Sequence, residues 1–313
     1  MKAVVQDVYG DAGVLRLAEI DEPALAEDEV LVRVCAAGVD RGVWHHLTGM
    51  PLVARLGSGL RRPRTAVRGA EMSGVVERIG ERVTAYAVGD EVFGIGEGTF
   101  AEKTRAKVTK IARKPSGISH EQAAACPISA VTALHAVREA RLAPGLRVLI
   151  LGAGGGVGTF AVQLARHRGA EVTGVARDAK SDLVRGLGAG LEVCGRYDAI
   201  IDTAGRRPLR TLRAHLTPNG TAVLVGGEGG PGRLLQGFDR QMRAVSLSPL
   251  IGQRLVSLMS ITKREELDTI AGLLADGSVT PVLDRVFPLA DTAAALDYLA
   301  TGEVRGKVVV TLL

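Results

Sequence analysis

Val148-Leu149-Ile150-Leu151 runs into Gly152-Ala153-Gly154-Gly155-Gly156-Val157-Gly158, and Thr159-Phe160-Ala161-Val162-Gln163-Leu164-Ala165 follows. Four apolar residues predict a buried parallel strand, the glycines a tight turn, and the spacing of the last segment a helix. Such a turn lets backbone N–H groups approach a pyrophosphate, while the helix points the positive end of its dipole at it. Glycine is common here, 40 of 313 residues, so its abundance argues nothing. Its position between a strand and a helix predicts dinucleotide binding.

A second apolar run, Glu171-Val172-Thr173-Gly174-Val175-Ala176, arrives one helix later, the spacing of a βαβ unit. A site for NADH usually places Asp or Glu at the end of this strand, on the ribose hydroxyls. Here that end reads Ala176-Arg177, with Lys180 close behind and Asp178 between the two cations. The missing acid and the two cations suit a 2′-phosphate and therefore NADPH; the plainer reading makes both cations solvated surface charges.

At 313 residues the chain exceeds the usual single-domain size, which predicts two domains. Apolar residues make up 46%, enough for packed cores, and no apolar run is long enough to cross a bilayer. The start, Met1-Lys2-Ala3-Val4-Val5, reads as a strand and not as a signal peptide. The net charge of +5 is modest, and its densest knot is Arg61-Arg62-Pro63-Arg64 with Arg55 and Arg68 nearby. That knot suits an acidic substrate or a nucleic acid, but only 3% of residues are aromatic and no nucleic-acid module is present, so it reads as a solvated loop. Cys35, Cys126 and Cys194 form neither a metal spacing nor a disulfide framework, which predicts a reducing, cytoplasmic location. The expected partner is a small-molecule substrate, with neither nucleic acid nor membrane.

Before the glycine turn the texture differs. Short and alternating apolar runs at 2–8, 14–19, 29–36, 74–79, 91–94 and 100–103 predict a strand-rich barrel or sandwich. Residues 120–140 change to helical period. Alternation then continues through a strand at 198–202, a helix around 209–216, a strand at 221–225, a helix at 263–276, the run 279–287 and a last strand at 307–310. There are no internal repeats and no low-complexity linker.

These segments together resemble the medium-chain dehydrogenase/reductase superfamily, in its zinc-independent quinone-oxidoreductase-like branch. The resemblance spans almost the whole chain, in family order: Val32-Arg33-Val34-Cys35-Ala36-Ala37-Gly38-Val39, then Gly69-Ala70-Glu71-Met72-Ser73-Gly74-Val75-Val76, then Val88-Gly89-Asp90-Glu91-Val92-Phe93-Gly94. The entry helix from Gln122 to Leu134 and the turn Ala153 to Gly158 complete it. It implies an α/β fold: a GroES-like, β-rich catalytic domain (1–120 and 277–313) and a Rossmann domain with a doubly wound parallel sheet (121–276), with the active site in the cleft between them.

Zinc members of this superfamily hold a catalytic metal with Cys, His and a further Cys or Asp. The matching positions here are Asp40, Ala70 and Ile128, and two of those side chains cannot ligate. The four-cysteine structural zinc lobe is also absent. His45, His46 and Glu71 suggest a substitute site, but adjacent histidines on an extended segment point to opposite sides, so no metal is expected. Without a Lewis acid, hydride transfer needs an already activated acceptor, such as a quinone or an alkene conjugated to a carbonyl. Asp40 falls where such reductases often carry Asn beside the nicotinamide. Trp44, His45 and His46 read either as pocket walls and proton donors or as a packing residue and two exposed histidines. No spacing chooses between the histidines.

The resemblance places further cofactor contacts at Thr132, near the carboxamide, at Val225, Gly226 and Gly227 under the ring, and at Lys307 near the pyrophosphate. With Gly152, Gly154, Gly155, Gly156, Val157, Gly158, Ala176, Arg177 and Lys180 these form the expected NADPH site. Two departures stand out. Between Gly190 and Tyr197 the family has a longer stretch containing a strand and an aromatic residue over the adenosine, and this chain has six residues, which shortens one wall of the expected cofactor site. The segment 51–63 is apolar and basic together, as a cap over the substrate cleft would be. The alternation Ala244-Val245-Ser246-Leu247-Ser248-Pro249-Leu250 reads as an edge strand through which a homodimer forms. The expected function is NADPH-dependent quinone or enone reduction. The alternatives are a biosynthetic enone reductase or reductive cyclase, a non-catalytic NADPH-binding sensor, and a zinc alcohol dehydrogenase.

Overall fold

The computed structural model describes residues 1–226 and 234–312. It divides into two units, Met1–Val131 with Thr262–Leu313, and Thr132–Ile261.

The first unit opens with an antiparallel pair, β1 (Lys2–Val5) and β2 (Arg16–Glu19). The long strand β3 (Glu29–Val39) follows, then two helices, α1 (Arg41–Thr48) and α2 (Arg55–Ser58). Strands β4 (Glu71–Ile79), β5 (Glu91–Ile95), β6 (Lys103–Lys107) and β7 (Ile111–Arg113) complete this half. β3 is buried apart from Arg33, and it pairs with β4 along one edge and with β6 along the other. The expected strand at 100–103 is displaced to β6: Phe100 and Ala101 instead join β1, where the Val4 N–H donates to the Phe100 carbonyl at 2.8 Å.

The helix expected over 120–140 is two helices, α3 (His120–Ala124) and α4 (Ser129–Glu139). Pro127 separates them, since it lacks an N–H and disfavours helical backbone before it. α3 starts in a capping box between Ser119 and Gln122.

The second unit alternates strand and helix: β8 (Arg147–Leu151), α5 (Gly156–His167), β9 (Glu171–Val175), α6 (Ser181–Gly186), β10 (Tyr197–Asp202), α7 (Leu209–Ala214), β11 (Leu216–Leu224), α8 (Phe238–Leu247) and β12 (Arg254–Ser257). The strands lie β12-β11-β10-β8-β9, all parallel. Val148 to Leu151 are at most 1% exposed, as covered parallel strands require. Where a sixth strand would follow β9 there is a single bridge, Thr173 to Gly190. Residues 191–196 run irregularly under Arg147, whose guanidinium donates to the Cys194 and Arg196 carbonyls and lies over the Tyr197 ring. The short stretch read from the sequence is thus a missing edge strand.

The expected edge strand at 244–250 is a helix. It belongs to α8 and the turn after it, and the edge strand is β12. Ala244 is buried and Leu247 half-buried, three residues apart on one helix face, while Val245 is 56% exposed.

The chain returns to the first unit through α9 (Arg264–Ala275), β13 (Leu283–Pro288), α10 (Thr292–Thr301) and β14 (Lys307–Thr311). β14 closes the seven-stranded sheet by pairing antiparallel with β3. The sequence assigned α9 to the cofactor domain; it packs on the barrel instead, with Leu267 and Ile270 buried and Arg264 over the Tyr86 ring. The unit boundaries therefore fall at 131/132 and 261/262.

Candidate active site

The glycine turn between β8 and α5 is shaped for close approach. Gly152 has φ +82°, a left-handed conformation, and a Cβ there would lie 2.5 Å from Thr203 Oγ1. A Cβ on Gly158 would lie 2.0 Å from the Gly152 carbonyl oxygen, so the helix can start against the strand only with glycine there. The Gly152 and Ala153 N–H groups donate to the Val175 carbonyl. Gly155 is the N-cap of α5 and supplies no side-chain acceptor, which leaves the N–H groups of Gly156, Val157 and Gly158 for an anion. A pyrophosphate fits this cradle.

At the end of β9, Ala176 is half-buried and Arg177 exposed. Lys180 is only 8% exposed, and its stem fills the space beside Gly154, where a Cβ would lie 2.9 Å from the Lys180 Cβ. Thr132 is half-buried on α4. The N–H groups of Val225 and Gly226 both donate to the Asp202 carbonyl; Gly227 lies outside the described residues.

The loop after β10 is a part of this site that sequence reasoning missed. Thr203 Oγ1 donates to the Leu151 carbonyl at 2.8 Å, tying the loop to the glycine turn. The fully buried Asp202 carboxylate accepts from the Ala204 and Gly205 N–H groups and from Arg240 Nη1 at 2.6 Å. Arg240 also donates to the Arg207 and Gly226 carbonyls. Beside this network lies a cavity of about 380 Å³ lined by Gly205, Arg207, Arg240 and Arg243 among others. An Asp ending a buried strand at a sheet's switch point was the available signal.

In the first unit, α1 gathers Asp40, Trp44, His45 and His46. Asp40 is its N-cap: Oδ1 accepts from the Val43 N–H, while the buried Oδ2 has no hydrogen-bond partner among the described residues. Trp44 packs at the edge of the barrel core. The two histidines stand on a helix and not on an extended segment, so they diverge by about 100° instead of opposing. His45 Nδ1–H donates to the Met50 carbonyl at 2.9 Å. His46 is exposed, and partial burial of its ring and the neighbouring charges of Arg68 and His45 hold its pKa below the ordinary imidazole value, against the pull of Asp40. The structure thus separates two residues that the sequence left equivalent.

Near Asp40, Glu71 and Lys307 form a buried ion pair, 0% and 2% exposed. Glu71 Oε2 also accepts from the Ile128 N–H at 3.0 Å. Burial pushes the Glu71 carboxyl up to about 7, with Asp40 adding and Lys307 and the Ile128 amide opposing. Lys307 was expected near the pyrophosphate; its ammonium is committed to Glu71 instead, because β14 brings it to the start of β4 through β3. Of the positions that the resemblance matches to zinc ligands, Ala70 is half-buried and the Ile128 backbone amide donates to Glu71.

Residues 26–116 match the alcohol dehydrogenase GroES-like domain, and 170–310 match a family of zinc-binding dehydrogenases. The 2-methylene-furan-3-one reductase of Solanum lycopersicum is 30% identical over 99% of this chain and 79% of its own length. The chain belongs to the medium-chain dehydrogenase/reductase superfamily. Within it the chain falls in the quinone-oxidoreductase-like branch. The chloroplastic NADPH-dependent alkenal/one oxidoreductase of Arabidopsis thaliana is 29% identical over 99% of this chain and 79% of its own. The quinone oxidoreductase of Coxiella burnetii has the same fold, with a TM-score of 0.88 and 26% identity over 100% of this chain and 99% of its own. Members of this branch are NAD(P)H-dependent oxidoreductases, and the glycine cradle is this chain's part of that dependence.

Proposed function

We propose that this protein is a zinc-independent oxidoreductase that uses NADPH to reduce a quinone or an α,β-unsaturated carbonyl. The donor set carries the reading: Ala70 and Ile128 stand where ligating side chains are needed, and the Ile128 amide is already engaged by Glu71. NADPH, when bound, supplies the hydride. The amides of Gly156, Val157 and Gly158 bind its pyrophosphate, and Arg177, with no acid ending β9, favours the 2′-phosphate.

The hydride acceptor then gains a negative oxygen that must be protonated. His46 holds that proton, and the negative charge of Asp40, whose buried Oδ2 has no hydrogen-bond partner among the described residues, favours the protonated imidazole. Because the His46 pKa is lowered, the protonated form grows as pH falls below the ordinary histidine value. The relatives' reduction of alkenals and furanones supports an enone acceptor.

NADPH oxidation against a panel of quinones, enones and simple ketones tests this. Quinones or enones should be turned over and simple ketones not, with the rate unchanged after chelation. His46→Gln should lower kcat about 100-fold and flatten its acid-side rise. Tight NADPH binding with no turnover of any acceptor overturns the enzymatic reading. We place the protein in a reducing, cytoplasmic compartment, with three free cysteines, and as a homodimer joined along β12, whose outer edge is unpaired among the described residues.

A further inference from the structure

Between Asp40 and Glu71 the chain has no acidic residue and six arginines: Arg41, Arg55, Arg61, Arg62, Arg64 and Arg68. That surplus exceeds the net charge of the whole protein, +5, so everything outside the segment sums close to neutral. The structure gives the segment an anchored inner side. Arg55 lies 4.3 Å above the Tyr9 ring and donates to the Gly49 and Thr48 carbonyls. Tyr9 Oη donates to the Gly59 carbonyl at 2.7 Å. Gly59, at φ +117°, makes a reversal no other residue would tolerate, since a Cβ there would lie 2.1 Å from the Arg62 carbonyl oxygen.

The outer side is amphipathic. Leu56 is 68% exposed and Leu60 67%, with Leu52 and Val53 exposed beside them. Arg61, Arg62 and Arg64 are exposed, and their guanidiniums have no partner among the described residues. Single exposed aliphatics are ordinary, but four within one short stretch, held outward by an anchored inner side, form a surface that meets something apolar. The adjacent cations require that the same partner be negatively charged.

We propose that residues 52–64 dock this protein onto an anionic lipid bilayer. Hydrocarbon for the leucines and phosphate headgroups for the arginines are both present only at such a surface. Nucleic acid offers the leucines nothing, and an acidic protein is the competing occupant that the experiment separates. The earlier expectation of no membrane partner rested on the lack of a spanning segment, and docking needs none; among the described residues no helix is long and apolar enough to cross a membrane. On the function proposed above, on which this last consequence rests, docking brings the enzyme beside acceptors dissolved in the bilayer.

Flotation of the full-length protein with vesicles tests this without reference to turnover. The protein should float with vesicles of equal parts phosphatidylcholine and phosphatidylglycerol, and not with phosphatidylcholine alone. Each cation near an anionic surface contributes on the order of fivefold in affinity. Arg61→Gln/Arg62→Gln/Arg64→Gln should therefore weaken binding about 100-fold, and Leu56→Ser/Leu60→Ser at least tenfold. Arg168→Gln/Arg185→Gln, exposed cations of the other unit, should change it less than threefold, and thermal melting should show all variants folded. No flotation of the parent protein, equal losses in all three variants, or binding to soluble polyglutamate without binding to vesicles each overturns the proposal. NADPH binding, followed by fluorescence on the same samples, shows separately whether the cofactor reading stands.

Discussion

Asp202 in the second unit and Glu71 in the first are both fully buried carboxylates facing a basic side chain, yet their surroundings differ. Asp202 accepts from two backbone N–H groups as well as from Arg240, whose planar guanidinium also reaches two carbonyls. Glu71 has one backbone donor and the point charge of Lys307, with Asp40 nearby to repel it, and its pKa rises to about 7. One pair is a hydrogen-bonded knot that fixes the loops around the glycine turn. The other is a charge pair held at a cost, near the Asp40 that caps the helix carrying His46. A rigid cradle for a cofactor needs the first kind; the second is sensitive to pH.

The largest effect expected of this contrast comes from Glu71→Gln, which strands a buried ammonium. It should cost about 3–5 kcal/mol of stability in denaturant titration at pH 5, and less at pH 8, where the ionised Glu71 already destabilises the parent protein. A loss below about 1 kcal/mol at pH 5 would mean that Lys307 finds water or another partner. Next, Arg240→Met should cost about 2–3 kcal/mol, because the remaining amides still satisfy one oxygen of Asp202, and it should weaken NADPH binding through the displaced Thr203 loop. Unchanged cofactor affinity would separate the knot from the site.

Lys307→Met should be the mildest and the most pH-dependent. At pH 8 it leaves an ionised Glu71 stranded, whereas at pH 5 Glu71 keeps its proton, and the cost should fall to about 1 kcal/mol. The unmodified protein should show the same group: with the folded pKa near 7 and the unfolded one near 4.5, the folded state binds more protons between these values. Its stability therefore falls as pH rises through that window, and Glu71→Gln removes the slope. A stability that climbs from pH 5 to 7 in the parent protein would show Glu71 ionised throughout.

The cofactor unit was legible because its geometry is set by backbone. The Gly152 turn, the helix after it and the missing edge strand past Gly190 each leave a mark in residue type or chain length. The barrel site was legible only as a set of names. Whether Lys307 meets a phosphate or Glu71 depends on β14 pairing with β3, and β3 with β4, across more than two hundred residues. The choice between His45 and His46 depends on a helix that the sequence showed as an extended segment. The edge strand was misplaced because Ala244, Leu247 and Leu250 have helical spacing while Val245 and Leu247 alternate as in a strand, and seven residues are too few to separate the two periods.

Deuterium transfer tests the central claim most directly: chelator-treated protein is given NADPH labelled at the nicotinamide C4 and an α,β-unsaturated ketone. The account predicts label at the β-carbon of a saturated product, at a rate that added zinc does not change. Absence of label in product, or reduction that appears only when zinc is supplied, would contradict it.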